Sequence, residues 1–225
     1  DTAGPVVEGV TISTPTVALT GPTTMTPSLS AQSLPSNMGS CSPVGSAVSV
    51  AATPASSMVT SPAACTCAAG GVIDCSAVSV VVNSSDFVLD ATLTDGAGGT
   101  YLSNTLSVDV PAVVTLTSPG GPFNPGDNVP VAGTCAVPGS TVAVSLPAQL
   151  DSVPSGSSSF NCTCQADNTY DVAGGDCAGF TNVVASSPGG PVNVSASITD
   201  GDGDTAGPVV ESITIEPTID LDVPN

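Results

Sequence analysis

Lysine, arginine and histidine are absent from all 225 residues of this chain, and so is tryptophan. With no basic side chain nothing can neutralise a phosphate backbone, which excludes nucleic-acid binding. Attraction to an anionic membrane surface is lost for the same reason. Without histidine no Ser-His-Asp or Cys-His arrangement can be assembled. Without lysine, neither Schiff-base chemistry nor a Lys–Asn isopeptide crosslink can form. A glycosidase-type pair of carboxylates needs a cleft, usually floored by aromatics, and two Tyr and four Phe make up only 3% of the chain. The composition therefore argues against an enzyme. No stretch approaches the roughly 18 apolar residues of a membrane helix, so membrane insertion is not expected. The opening residues lack the basic segment of a secretory leader, so an exported protein would carry this sequence as a mature or internal portion.

What remains is acidic, small and β-branched. Nineteen Asp and Glu give a formal charge of −19, hydrophobic residues reach 40%, and 24 Gly and 21 Pro punctuate the chain. Such a composition describes short strands separated by turns, with a core of Val, Leu, Ile and Ala. Eight cysteines, an even number, point to disulfides and an oxidising compartment, either extracellular or at the cell surface.

The cysteines also expose a repeat. Cys41, Cys65, Cys67 and Cys75 form one set, and Cys135, Cys162, Cys164 and Cys177 form another. Each set reads as one Cys, a long gap, Cys-Thr-Cys, then a last Cys. "GSCSPVGSAVSV" (39–50) aligns with "GTCAVPGSTVAV" (133–144), placing Gly39 on Gly133 and Val48 on Val142. "DATLTDGAGGTYLSNTLSVDV" (90–110) aligns with "SASITDGDGDTAGPVVESITI" (195–215), placing Asp95 on Asp200. The offset grows from 94 to 105 because the second copy has longer loops. Two homologous units of about a hundred residues follow. A third sign of periodicity is the octapeptide Asp1–Glu8, which recurs without a gap at Asp204–Glu211.

The pattern inside each unit is all-β. "STVAVSL" (140–146) alternates, with Val142, Val144 and Leu146 on one face. "PVNVSASITD" (191–200) places Val192, Val194, Ala196 and Ile198 on one face and polar residues on the other. "AVSVVV" (77–82), "FVLDATL" (87–93) and "AVVTLTS" (112–118) read as further strands. Helical periodicity is missing and Pro is too frequent for long helices. Short strands at regular spacing indicate a β-sandwich.

The run Gly133-Thr134-Cys135-Ala136-Val137-Pro138-Gly139-Ser140-Thr141-Val142-Ala143-Val144 resembles the "GTAxPGATVTV" turn of bacterial immunoglobulin-like (Big-type) repeats, the tandem modules of large surface adhesins and extracellular fibres. Ile198-Thr199-Asp200-Gly201-Asp202-Gly203-Asp204-Thr205-Ala206 is similar to that family's "TDxAGNT" stretch before its last strand. The resemblance covers most of 111–215 and, more weakly, 13–110. It implies two tandem immunoglobulin-like β-sandwich domains, here stapled by disulfides that common members lack. In this register, 1–12 is the last strand of a preceding repeat or a connector strand. Residues 13–110 form domain 1, 111–215 domain 2, and 216–225 the first strand of a following repeat. The chain is thus expected to be a window on a covalent array, or a subunit whose terminal strand completes its neighbour's sheet.

Three kinds of site follow from the residues. In Cys-Thr-Cys both sulfurs face the same side of a strand, so each is expected to bond one of the two remaining cysteines of its unit. Pairing lies within each set of four, and connectivity stays open. A thiolate zinc site is the alternative, but the usual Cys-x-x-Cys knuckles are missing. Asp200, Asp202 and Asp204, spaced by glycine, can converge on one Ca²⁺ ion, a candidate cofactor in a chain otherwise expected to have none. The plainer alternative is a solvated Asp-Gly turn. The first unit keeps Asp95 but follows it with "GAGG", a weaker site. Asn83, Asn161 and Asn193 begin glycosylation sequons, and the loop "TGPTTMTPSLSAQSLPS" (20–36) offers Ser and Thr for O-linked sugar or is an ordinary exposed loop.

The reading is a structural repeat module of an extracellular filament, stalk or giant surface protein, partnered by copies of itself or by neighbouring repeats. A surface without Lys or Arg offers no site to trypsin-like proteases, and like-charged fibres repel unless divalent cations bridge them. The rival is an adhesion module for host or surface glycans, which needs an aromatic patch around Tyr101, Phe123, Phe160 or Tyr170.

Overall fold

A computed structural model describes residues 13–54, 58–60, 64–82, 86–154 and 156–217. The strand expected at 1–12 lies outside these residues, as do Asn83 and all but 216–217 of the strand expected at 216–225. The described residues are all-β. The first unit contains β1 (Thr16–Leu19), β2 (Ser28–Ser33), β3 (Gly39–Ser42), β4 (Ala47–Thr53), β5 (Met58–Thr60), β6 (Ala64–Ala68), β7 (Val72–Asp74), β8 (Ser79–Val82), β9 (Phe87–Thr94), β10 (Thr100–Leu102) and β11 (Leu106–Val108). The second contains β12 (Ala132–Thr134), β13 (Thr141–Ser145), β14 (Leu150–Val153), β15 (Ser159–Thr163), β16 (Thr169–Asp171), β17 (Asn182–Ala185), β18 (Gly189–Thr199) and β19 (Thr205–Ile215).

In the first unit a sheet ordered β1-β3-β7-β6-β4-β9-β10, with β11 also on β9, accompanies a small sheet β2-β8-β5. In the second, β15-β13-β18-β19 accompanies the pairs β12-β16 and β14-β17. Strict alternation sends every second side chain inward. One core gathers residues from Val17 to Val110, and another from Ala112 to Ile215. The fold is two immunoglobulin-like β-sandwich units in tandem, each stapled by two disulfides.

Register shows how closely the copies correspond. Val48 faces Cys65 on one side and Leu93 on the other, and Val142 faces Cys162 and Ile198 in the same way. Cys41 is joined to Cys67 and Cys65 to Cys75. Cys135 is joined to Cys164 and Cys162 to Cys177. The connectivity is first-to-third and second-to-fourth in both copies. In each Cys-Thr-Cys both sulfurs lie on the buried face, with the threonine exposed between them. A core with few aromatics gains from such staples, on the order of 2–4 kcal/mol each.

Two segments differ from expectation. "AVVTLTS" is extended, and Ala112, Val114 and Leu116 point inward, but only Val114 forms a bridge, with Cys135. Ala136 N–H donates to the Val113 carbonyl, Thr115 N–H to the Thr134 carbonyl and Thr117 N–H to the Ala132 carbonyl, but Thr134 N–H goes to the Thr115 hydroxyl rather than to its carbonyl, which interrupts the ladder. The Ser/Thr-rich segment 20–36 is not a plain loop. It contains β2, and its Met25 and Leu34 side chains are buried. The polar majority there masked two apolar anchors spaced too widely for a strand signal.

Candidate metal centre

The DGDGD segment is the tip of the β18–β19 hairpin, whose last pair is Thr199 with Thr205. Asp200 and Asp204 therefore stand opposite each other where the ladder ends. Asp200 N–H donates to the Asp204 carbonyl at 3.0 Å. The Asp200 Oδ1 atom accepts from Gly203 N–H at 3.2 Å and Asp204 N–H at 2.8 Å, closing the turn. Asp200 is only 8% exposed, and its Oδ2 has no hydrogen-bond donor. A turn satisfied by solvent would not bury a carboxylate oxygen without a partner.

This tip abuts the first unit. There the pair Val108–Phe87 ends the β9–β11 ladder, leaving Asp109 and Asp86 just beyond it, again opposite each other. Asp86 N–H donates to Asp202 Oδ2 across the junction at 3.0 Å, while Asp86 Oδ1 accepts from Val110 N–H at 2.8 Å. The Asp109 backbone is fixed by Thr23 and Met25, each bond 2.9 Å. Two ladder ends, one from each unit, thus meet with five aspartates between them.

One carboxylate oxygen from each of Asp200, Asp202 and Asp204 lies within 4.8 Å of the others, and the same holds for Asp86, Asp109 and Asp204. Asp204 belongs to both groups. Burial first, and then the Asp202 carboxylate, push Asp200 up to about 6. Asp202 is held below the ordinary carboxylate value, first by its neighbour Asp200 and further by the Asp86 N–H. Asp204 is raised by burial and then by the charges of Asp202, Asp109 and Asp86. Since the chain has no Lys, Arg or His, no side chain can offset this charge.

Asp86 and Asp109 carry no sequence signal as ligands. Each is a single acid flanking a hydrophobic strand, and only the tertiary fold brings them to the loop. The junction is also packed. Val137, from the Pro-Gly turn of the second unit, is buried in the core of the first.

The other candidate residues are dispersed. Asn161 is exposed on β15, and Asn193 accepts from the Ser212 hydroxyl at 2.7 Å. The aromatic residues form no open platform among the described residues. Tyr170 is 1% exposed, with its hydroxyl donating to the Thr115 carbonyl at 2.8 Å. Phe160 is buried and stacks on Phe180 at 4.8 Å. Tyr101 and Phe123 are half-buried in different units.

No family model matches the chain, and no curated protein does. Among solved structures it is similar to a tetra-tandem repeat in the extending region of a large adhesion protein, at 19% identity and a TM-score of 0.37. That match takes in 75% of this chain and 40% of the other. It is also similar to fibronectin(III)-like modules of Clostridium thermocellum CbhA, at 13% identity and a TM-score of 0.27, covering 78% and 80% of the two chains. A third similarity is to a Bacteroides ovatus glucan-utilization protein solved with a mixed-linkage heptasaccharide, at 11% identity and a TM-score of 0.21, covering 71% and 37%.

Proposed function

We propose that this chain is a structural repeat of an extracellular filament, stalk or giant surface protein. Its role is architectural: each unit adds length, resists unfolding and presents an acidic surface, and its partners are neighbouring repeats or further copies. The observation that carries this reading is the duplication itself. Two units share register, disulfide connectivity and buried faces. The octapeptide Asp204–Glu211, which leads into the last strand, also occurs at Asp1–Glu8.

A spacer needs rigidity with little core volume, and interleaved disulfides supply it by closing the chain into short loops. Such bonds persist outside the reducing cytosol. The test is to label native cells with antibody to this chain and to weigh the labelled polypeptide after denaturation, with and without reduction. Surface labelling and a polypeptide much heavier than two units under both conditions are expected. An intracellular protein of two units would refute the proposal.

A further inference from the structure

The two units supply an internal comparison at the turn before the last hairpin strand. Asp95 and Asp200 are equivalent, and both close the turn in the same way. Asp95 N–H donates to the Gly99 carbonyl at 3.0 Å, and Asp95 Oδ1 accepts from Gly99 N–H at 2.8 Å. In the first unit the other oxygen, Asp95 Oδ2, accepts from the Tyr101 hydroxyl at 3.2 Å. That carboxylate is fully used by the protein. In the second unit Ala206 stands where Tyr101 stands, and Asp200 Oδ2 is left buried without a donor. Ala97 and Gly99 have meanwhile become Asp202 and Asp204. One copy of the turn satisfies itself, and the other exchanges its internal donor for two more acids and faces two further acids across the junction.

We propose that the junction binds calcium-class divalent cations through Asp200, Asp202 and Asp204 of the second unit and Asp86 and Asp109 of the first, and that the bound ion locks the two units together. The donor set is all carboxylate oxygen, which selects a hard cation over zinc or copper. Oxygen ligands sit ~2.3–2.6 Å from Ca²⁺, so ligands of one ion span up to ~5 Å. Each triad meets that condition, with its oxygens within 4.8 Å of one another. Asp204, shared by both triads, ties the loop of one unit to the ladder end of the other. The site belongs to this junction alone among the described turns, because the Asp95 turn lacks the extra acids. The part of the inference that concerns stiffness rests on the spacer reading, whereas ion binding does not.

The experiment uses the whole chain, stripped with chelator and titrated with Ca²⁺ by isothermal calorimetry. Small-angle scattering is recorded with Ca²⁺ and with EDTA. Saturable binding is expected, together with a narrower distribution of inter-unit distances in Ca²⁺. Asp204→Asn and, separately, the exposed Asp202→Asn should weaken binding roughly tenfold or more. Asp95→Asn should leave binding unchanged. Asp86→Asn should weaken it less and abolish the scattering difference. An absence of saturable Ca²⁺ binding overturns the proposal, as does wild-type affinity in both the Asp202 and Asp204 variants. Binding with identical scattering in Ca²⁺ and EDTA overturns the locking. Neither failure bears on surface location or polypeptide mass, which test the spacer reading separately.

Discussion

Gly133→Ala probes the packing that makes the second unit a sandwich. A Cβ at Gly133 would lie 2.1 Å from the Thr115 carbonyl oxygen, 2.7 Å from the Tyr170 hydroxyl and 2.8 Å from Tyr170 Cε1. The first neighbour is backbone and the others belong to a buried ring, so no flexible tip can move aside. Overpacking of this kind costs about 1–3 kcal/mol. The strand must also retreat, and the Tyr170–Thr115 hydrogen bond goes with it, adding about 1 kcal/mol. A total of about 2–4 kcal/mol lowers the melting temperature of a hundred-residue unit by roughly 8–30 °C. Urea unfolding followed by circular dichroism measures it, and hydrogen exchange assigns the loss to the second unit. Gly139→Ala is the control: that residue has φ +90° and open space, so only backbone strain of ~1–2 kcal/mol is expected. Gly133→Ala within about 1 kcal/mol of wild type would refute the close approach.

Further outcomes follow from the same structure. Gly39→Ala should destabilise the first unit comparably, because its Cβ would meet the Ala18 carbonyl oxygen at 2.0 Å. Thermal melts of that variant should show the loss in the first unit rather than the second. Removing the Cys41–Cys67 bond, which spans 26 residues, should cost about 3.5 kcal/mol, and removing Cys65–Cys75, which spans 10, about 2.7 kcal/mol. Double Cys→Ser variants compared by urea titration check that order. Tyr170→Phe should cost about 1–2 kcal/mol through the stranded Thr115 carbonyl, with the disulfides unaffected. The Asp95 carboxyl is held low, chiefly by Gly99 N–H. Its stabilisation is present above the unfolded value and is lost as pH falls through the lowered folded value. Acid titration of Asp95→Asn should therefore lack the part of the wild-type stability loss that occurs below pH 3.8.

Much of the fold is legible because a two-residue period leaves a direct mark. Val142 and Val144, and Val194, Ala196 and Ile198, face inward as their alternation requires. The cysteine sets reveal the duplication, since spacing survives where loops lengthen. Connectivity is not legible: Cys65 and Cys67 share a face, and only the placement of β3 and β7 decides which partner each meets. At the junction, local spacing shows the three loop acids but not their purpose. Asp86 and Asp109 arrive through long-range pairing of β9 with β11, which no local pattern encodes. Side-chain burial of the aromatics is not legible either. Tyr170, one of the residues a glycan-binding patch would need, is a core residue whose hydroxyl ties the first extended segment of the unit to β16.

The spacer account is tested most directly by stretching a single chain between handles at its two ends, first oxidised and then reduced. Residues 41–75 and 135–177 are bridged by interleaved disulfides and cannot extend while these are intact. At ~3.3–3.6 Å per residue, reduction should lengthen each unit's unfolding step by on the order of 100 Å. Two discrete unfolding events, each longer after reduction, are the predicted result. Smooth extension without discrete events, in the oxidised chain, would contradict a module built to resist force.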